Sequence, residues 1–167
     1  VTKTLLNKRV NKLVIIDTVE KESVFHDLKV KYQNTVIIFE RLDTVNVKAV
    51  EIQAILQKVV SRIQYIDVFI NGLEVIVEKD LQRTMNVNMQ VYLTFVMLVR
   101  DIMDRTKGGH GGVIVNLLSN MGMQVFGVKN YNVDVVHNVQ QYLINKQMLL
   151  SLSKTVSQEW FYQQTGV

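Results

Sequence analysis

Short apolar runs alternate with amphipathic helical segments along the chain, and this alternation restricts the fold more than any other feature. Four runs have the length and β-branched composition of buried strands: 13–16, 36–39, 66–70 and 113–117. Apolar residues at helical spacing lie between and after them, over 2–10, 21–32, 47–63, 81–105 and 142–162. This order predicts βαβ units with a parallel sheet and helices on both of its faces. The interval 127–141 has the least pattern, and we interpret it as a loop.

The composition excludes several classes of protein. A length of 167 residues predicts one domain, 1–167, that is large enough for an apolar core. Without cysteine, neither a disulfide framework nor a thiolate zinc site can form, and the three histidines are too far apart to suggest a metal site. A net charge of +4 is too small for a nucleic-acid surface, and no apolar run is long enough to cross a membrane. We therefore expect a cytoplasmic protein with no metal.

Polar residues with catalytic potential follow the fourth strand. Ser119 comes just after it, and ligands bind at the carboxyl edge of open α/β sheets. Tyr142 and Lys146 are four residues apart, so on a helix they share one face. A phenol has a pKa of about 10, and a neighbouring ammonium lowers that pKa. The phenolate could then take a proton from an alcohol while the carbon gives hydride to a nicotinamide cofactor, with Ser119 orienting the oxygen.

An acidic residue points to the choice of cofactor. Asp17 ends the first predicted strand of this chain, and an acidic residue at the end of the second strand of a dinucleotide fold bonds the adenosine ribose hydroxyls and repels the extra phosphate of NADP. It therefore favours NAD. Each of these signals also has a structural interpretation, because Asp and Asn-Gly after strands are ordinary turn residues. Their order and spacing together support the hypothesis of hydride transfer with a nicotinamide cofactor. An unrelated α/β protein with an accidental Tyr-x-x-x-Lys is a separate alternative.

The same segments, taken together, resemble the short-chain dehydrogenase/reductase family. The similarity is greatest to insect-type alcohol dehydrogenases and hydroxyprostaglandin dehydrogenases, and it extends over essentially the whole chain. The segments that carry it are LVIID ending at Asp17, IDVFING over 66–72, RTMNVN over 83–88, KGGHGGVIVNLLSNMG over 107–122 and YLINK over 142–146. The resemblance implies a Rossmann-like three-layer αβα sandwich with a parallel sheet. It also implies that the first strand with its glycine-rich loop and the C-terminal strands are missing.

The resemblance also implies roles for individual residues. The catalytic tetrad would be Asn88, Ser119, Tyr142 and Lys146. In that set Tyr142 is the base, Lys146 also holds the nicotinamide ribose, and Asn88 holds a water in a proton relay. The cofactor-binding residues would be Asp17, Asp43, Asn71, Gly72, Tyr142 and Lys146, with Asp43 at the adenine and Asn71 opening an Asn-Asn-Ala-Gly type motif.

The sequence departs from the family pattern at several places. GGHGG at 108–112 precedes a strand, so it does not replace the phosphate-binding loop, which follows one. Leu73 and Glu74 stand where the family has alanine and glycine, and we expect them to crowd the cofactor. The interval from Ser119 to Tyr142 is long, which suggests an insertion within 129–138. Tyr131 competes with Tyr142 on spacing, but the residue four positions on is Val135 and not lysine.

Two functions remain open from the sequence. The first is an NAD-dependent oxidoreductase that interconverts a secondary alcohol and a ketone. The alternative is a catalytically dead relative, a pseudoenzyme or fragment that acts as a binding or dimerisation module. The segment 91–99 is apolar almost all round, so its outer side should meet another surface. The family resemblance likewise implies a homodimer through the helices over 81–105 and 142–162.

Overall fold

The computed structural model describes residues 1–73, 81–118 and 133–167, apart from the side chains of Leu81 and of residues 133–142. Its strands are β1 (Lys12–Asp17), β2 (Val36–Arg41), β3 (Val68–Asn71) and β4 (Val113–Asn116). Its α-helices are α1 (Thr2–Asn7), α2 (Glu22–Lys31), α3 (Ala49–Ile63), α4 (Leu81–Met85), α5 (Tyr92–Met103) and α6 (Val133–Tyr162). A π-helical turn, Asn86–Val91, joins α4 to α5, and a 3₁₀ turn, Arg105–Lys107, follows α5. The four predicted strands are confirmed within about two residues at each end, within the usual uncertainty of element boundaries.

The strands are parallel, as predicted, but they form two hydrogen-bonded pairs. β1 pairs with β2, and β3 pairs with β4, with Lys12 opposite Val36 and Val68 opposite Val113. Two separate parallel pairs agree with the prediction of an incomplete parallel sheet. In the doubly wound order 3-2-1-4-5-6 the first strand lies between strands 2 and 4. The two pairs correspond to the neighbours 3-2 and 4-5 in that order.

Alternate residues of the strands pack on opposite faces, which gives the predicted three layers. On one face, α1 and α2 form a cluster with the β1–β2 pair around Leu6, Phe25, Leu28 and Ile37, and Leu13 and Ile15 pack against it. Ile16 contributes instead to the cluster on the other face. Because successive side chains of a strand point to opposite faces, helices cover the β1–β2 pair on both sides.

The second face holds the larger core, which is built mainly from α3 and α5. Its buried residues are Ile52, Leu56, Val91, Phe95, Val99 and Met103. Phe69 of β3 stacks on Phe95, with ring centroids 6.1 Å apart. Most of the apolar surface of 91–99 is thus used within the chain, and Met97 is its large apolar residue with substantial exposure, at 46 %. The surface that could contact an outside partner is therefore smaller than the sequence predicted, and it includes Met97.

The last helix is longer than predicted, because α6 already begins at Val133. The interpretation of 127–141 as a loop is wrong for 133–141, and part of the suggested insertion at 129–138 is helical. Val, Asn and Asp have low helix propensity, but adding a turn to an existing helix avoids the cost of nucleation. Within the described ranges, no helix combines the length and the apolar content needed to cross a bilayer.

The valines of α3 allow burial to be tested with one substitution at two positions. Val59 is 4 % exposed and Val50 is 67 % exposed. We expect Val59→Ala to lower the free energy of unfolding by about 2 kcal/mol, because two buried methyl groups are lost. Val50→Ala should change it by less than about 0.5 kcal/mol. Urea unfolding measures both, and equal effects would contradict this placement of α3.

Candidate active site

Two asparagines end β3 and β4 side by side. Asn71 and Asn116 are register partners in the parallel ladder, and the Leu117 backbone N–H donates to the Asn71 carbonyl at 3.0 Å. Asn71 is only 3 % exposed. In an open α/β sheet this carboxyl edge is where ligands bind. The chemistry of the candidate site therefore depends on what these two strand ends hold in place.

The Asn71 side chain connects the end of β3 to α5. Its Nδ2 donates to the Tyr92 carbonyl at 3.1 Å, and its Oδ1 accepts from the Leu73 backbone N–H at 3.3 Å. Burial raises the pKa of Tyr92, so its phenol stays protonated beside this contact. The amide of Asn71 is thus engaged within the fold, and a cofactor contact at Asn71 and the exposed Gly72 stays a prediction.

Leu73 does not have the place that the sequence suggested. It is partly buried and packs against both apolar clusters of the α5 face, the one around Val99 and the one around Tyr92 and Leu149. Its side chain therefore belongs to the core, and the expectation that it crowds a cofactor is wrong. The physical reason is that the chain leaving β3 turns toward α5, to which Asn71 is bonded. Glu74 lies outside the described residues.

The Asn116 side chain makes the equivalent connection between β4 and α6. Its Nδ2 donates to Ser153 Oγ at 3.0 Å, and that hydroxyl donates to the Leu149 carbonyl at 2.7 Å. Sequence analysis missed both residues, because Asn116 lies inside an apolar run and Ser153 inside a helical one. A polar residue near the end of an apolar strand is the signal that could have identified it.

Two of the predicted catalytic residues are buried on neighbouring segments. Asn88 lies in the π-helical turn and is 2 % exposed, and Lys146 lies on α6 and is 3 % exposed. Each has an interaction partner within the protein. α6 contacts both α4 and the π-helical turn. Lysine is almost never fully buried unless it is paired, and π-helical turns are frequent at functional sites. The structure thus brings the segments that carry these residues together.

The other two members of the tetrad can be placed only in part. Ser119 lies outside the described residues, as does Tyr131. The backbone of Tyr142 belongs to α6, one helical turn before Lys146, but its side chain is not among those described. The helix under the Tyr-x-x-x-Lys pair is confirmed, and on a helix the two side chains share a face. Their catalytic roles stay predictions.

The residues predicted at the adenosine end lie in exposed positions. Asp17 ends β1, and its Oδ1 accepts from the Thr18 backbone N–H at 2.7 Å. Asp43 follows β2 and accepts from the Val45 backbone N–H and from Asn46 Nδ2, both at 3.1 Å.

These contacts also set the ionisation of Asp43. The hydrogen bond from Asn46 is the main reason that the pKa of Asp43 is lowered, followed by the bond from Val45; Arg83 and Arg41 contribute through their charge. The charge of Arg83 on α4 thus acts on the loop after β2. Asp43 thus stabilises its own turn, and its contact with an adenine stays a prediction.

The glycine-rich run 108–112 lies between α5 and β4. Gly109 donates to the Asp104 carbonyl at 2.8 Å and Gly111 donates to the Met103 carbonyl at 2.7 Å, and Gly111 has a φ of 77°. A Cβ on Gly109 would collide with the backbone of Met103. The run therefore makes a tight turn at the amino end of β4, away from the carboxyl ends of β3 and β4. It does not form a phosphate-binding loop, in agreement with the interpretation of the sequence.

The described residues suit the two ends of a nicotinamide dinucleotide. Asp17 has an exposed carboxylate at the end of β1, a group that suits ribose hydroxyls, and the buried Lys146 lies on α6, which contacts the turn that bears Asn88. A strand, glycine turn and helix that could hold the pyrophosphate do not occur among residues 1–73, 81–118 and 133–167. The residue types at Asp17 and Lys146 are compatible with the ribose and nicotinamide ends of such a cofactor, and their contacts with it stay predictions.

Comparison with known proteins supports the family resemblance inferred from the sequence. The sequence model of the family described as "short chain dehydrogenase" matches residues 1–133. Alcohol dehydrogenase 1 of Ceratitis capitata is 26 % identical over 165 residues, which cover 99 % of this chain and 60 % of that protein. The alcohol dehydrogenase-related 31 kDa protein of Drosophila ambigua is 29 % identical over 166 residues, covering 99 % and 55 %. The chain thus spans somewhat more than half the length of these relatives.

Solved structures agree on the fold. Levodione reductase superposes with a TM-score of 0.76 at 17 % identity, covering 96 % of this chain and 61 % of that one. An NAD⁺-bound xylitol dehydrogenase superposes with a TM-score of 0.70 at 15 % identity, covering 92 % and 56 %. The predicted Rossmann-like fold is therefore confirmed.

The hydrogen bonds of Asn71 can be tested by removing its amide. We expect Asn71→Ala to lower the free energy of unfolding by about 1–3 kcal/mol, because the Tyr92 carbonyl then loses its buried donor. Asn34→Ala, in an exposed turn before β2, is the matched control and should change it by less than about 0.5 kcal/mol. Chemical denaturation reports both values. An Asn71→Ala protein as stable as the control would show that the contact contributes nothing.

Proposed function

Because the chain belongs to the short-chain dehydrogenase family, we propose that it forms the catalytic part of an NAD-dependent oxidoreductase that interconverts a secondary alcohol and a ketone. The observation that carries this proposal is the burial of Lys146 on a helix that contacts the turn bearing the buried Asn88. The relatives named alcohol dehydrogenase support the substrate class. A cytoplasmic location also stays a prediction.

The proposed chemistry needs one acid–base group held beside a cation. The Lys146 ammonium, one helical turn from Tyr142, favours the phenolate form of that tyrosine. The phenolate takes the hydroxyl proton of the alcohol as the carbinol carbon gives up a hydride, and ketone reduction runs the same step backwards. A bound nicotinamide cofactor supplies the hydride acceptor. Ser119 would donate a hydrogen bond to the substrate oxygen and stabilise the charge there.

The choice of NAD rests on Asp17. Its carboxylate is exposed at the end of β1, with Arg41 as its register partner on β2. A carboxylate there accepts hydrogen bonds from the adenosine ribose hydroxyls and repels a 2′-phosphate. Structures bound to NADPH and to NAD⁺ both occur among the similar folds, so the fold alone does not choose the cofactor, and the proposed preference depends on Asp17.

Thermal unfolding with and without cofactor tests the proposed function. A ligand that binds only the folded state stabilises it by about 2.7 kcal/mol at one hundred times its Kd, which raises the Tm of a chain of this size by about 5–10 °C. We expect NADH to raise the Tm and NADPH to raise it less. The absence of a shift with either would contradict the proposal and favour the non-catalytic alternative.

Matched variants assign that shift to residues. Lys146→Met should reduce the NADH-dependent rise in Tm, whereas Lys154→Met, at an exposed lysine on the same helix, should retain it. Tyr142→Phe should keep the rise but abolish alcohol oxidation. Asp17→Ser should bring the NADPH response up to that of NADH. A full NADH response in Lys146→Met would remove Lys146 from the cofactor site.

We further propose that α5 and α6 form a homodimer surface. The cavity between these helices has a volume of about 230 Å³ and is lined mainly by apolar side chains, among them Leu93, Met97, Leu149 and Val156. Met97, which lines the cavity, is 46 % exposed, and Met148, next to the lining residue Leu149 on α6, is 40 % exposed. Exposed apolar patches with polar surroundings are typical of association surfaces.

A charge placed on this surface should prevent association. We expect the wild-type chain to sediment as a dimer and Met97→Glu to sediment as a monomer, because burying an unpaired carboxylate is strongly unfavourable. Val50→Glu, on the exposed side of α3, is the control and should leave the dimer intact. Analytical ultracentrifugation at micromolar concentrations distinguishes them. A monomeric wild-type protein would contradict the proposed dimer.

A further inference from the structure

Asn145 on α6 is an unusual buried residue. It is 1 % exposed, and among the described residues neither its Nδ2 nor its Oδ1 has a hydrogen-bond partner. Other buried polar atoms, such as Asn116 Oδ1, also lack a partner, but Asn116 makes another hydrogen bond through its Nδ2. Buried side-chain amides are nearly always satisfied by protein groups or by ordered water. A residue with both ends of its amide unsatisfied therefore needs a physical explanation.

The contacts between α5 and α6 indicate which part of α5 Asn145 faces. Leu149 belongs to the same apolar cluster as Tyr92 and Val96. Further along, the Arg100 guanidinium lies 5.8 Å from the Trp160 ring centroid. The contacts advance in the same direction along both helices, so the helices lie side by side and point the same way. One turn back from Leu149 is Asn145, and one turn back from Tyr92 is Asn88, in the π-helical turn.

The π-helical turn suits an unsatisfied amide as a neighbour for physical reasons. Its hydrogen bonds join residues five apart, and such turns occur as local insertions within α-helices. Helices are disturbed in this way where a side chain or a water enters the hydrogen-bond ladder. An amide offers one acceptor and one donor group, which suits a water molecule that must both donate and accept. Buried waters typically make about three hydrogen bonds to otherwise unsatisfied groups.

We propose that the Asn145 amide binds a buried water molecule that hydrogen-bonds to the backbone of the turn Asn86–Val91. Asn145 is then a positioning residue, because it holds α6, and with it the adjacent Lys146, against the turn that carries Asn88. The effect of Asn145 on catalysis rests on the proposed function, but the water site itself does not. If packing alone determined the residue at position 145, we would expect an apolar residue there, as at Leu149.

The sign of the stability change tests this proposal. Replacing an unsatisfied buried amide by leucine removes an unfavourable group and should raise the Tm. If Asn145 binds a water that supports the turn, Asn145→Leu should instead lower the Tm by several degrees. Gln147→Leu, at an exposed position on the same helix, is the matched control and should leave the Tm almost unchanged. An equal or higher Tm for Asn145→Leu would overturn the proposal.

A second pair of variants keeps the test decisive if leucine prevents folding. Alanine has the higher helix propensity, so Asn145→Ala should be more stable than Asn145→Ser if the position has no polar role. A serine hydroxyl can bind a water, and we therefore expect Asn145→Ser to melt at the higher temperature. The opposite order would overturn the proposal.

Hydrogen exchange separates a positioning role from a general loss of stability. In Asn145→Ala, we expect the backbone amides of 86–91 to lose much more of their protection against hydrogen exchange than the amides of α3 lose. A uniform loss over both segments would overturn the positioning role. All these measurements are made without cofactor, so they stand even if NADH gives no thermal shift. Failure of the NADH shift alone would remove the catalytic consequence and leave the water site.

Discussion

Two asparagine amides, the buried Asn71 and the partly buried Asn116, connect the ends of the strands to the helices that carry the candidate catalytic residues. Asn71 donates to the Tyr92 carbonyl at the start of α5, and Asn116 donates to Ser153 on α6. Tyr92 follows directly after the π-helical turn, and Ser153 lies two turns after Lys146. Apolar packing alone would allow each helix to slide along the sheet, since hydrophobic contacts have little direction. Hydrogen bonds to specific carbonyl and hydroxyl groups fix the axial position of each helix.

This arrangement explains why burial and polarity coincide at the site. Asn88, Lys146 and Asn145 are each less than 4 % exposed, although lysine and asparagine are mostly surface residues. A buried ammonium interacts with its neighbours in a medium of lower effective dielectric constant than water, so its influence on an adjacent group is stronger. The same burial makes each unsatisfied polar atom unfavourable. The site therefore depends on close control of the distance between α6 and the turn.

Local sequence patterns predicted the strands well, because apolar β-branched runs end at Asp17, Asn71 and similar polar residues. The pairing of those strands could not be predicted in the same way, since hydrogen-bond order depends on segments far apart in sequence. The start of α6 was missed because residues with low helix propensity extend a helix that nucleates elsewhere. The resemblance to a family identified Asn88 and Lys146 as candidates. The polar contact of Asn116 and the buried amide of Asn145 had no periodic signal, because each residue lies within a pattern dominated by its neighbours.

The separation of the strands into two pairs has a consequence for how the chain folds. The β1–β2 pair forms within the first forty-one residues and has its own apolar cluster around Leu6 and Phe25. The β3–β4 pair forms later in the sequence, around the core of α5. No backbone ladder among the described residues joins the two pairs, and Ile16 of β1 packs against the core of α3 and α5, so side-chain packing connects them. Units of this kind can open independently, and we expect the first βαβ unit to exchange its amide protons separately from the second.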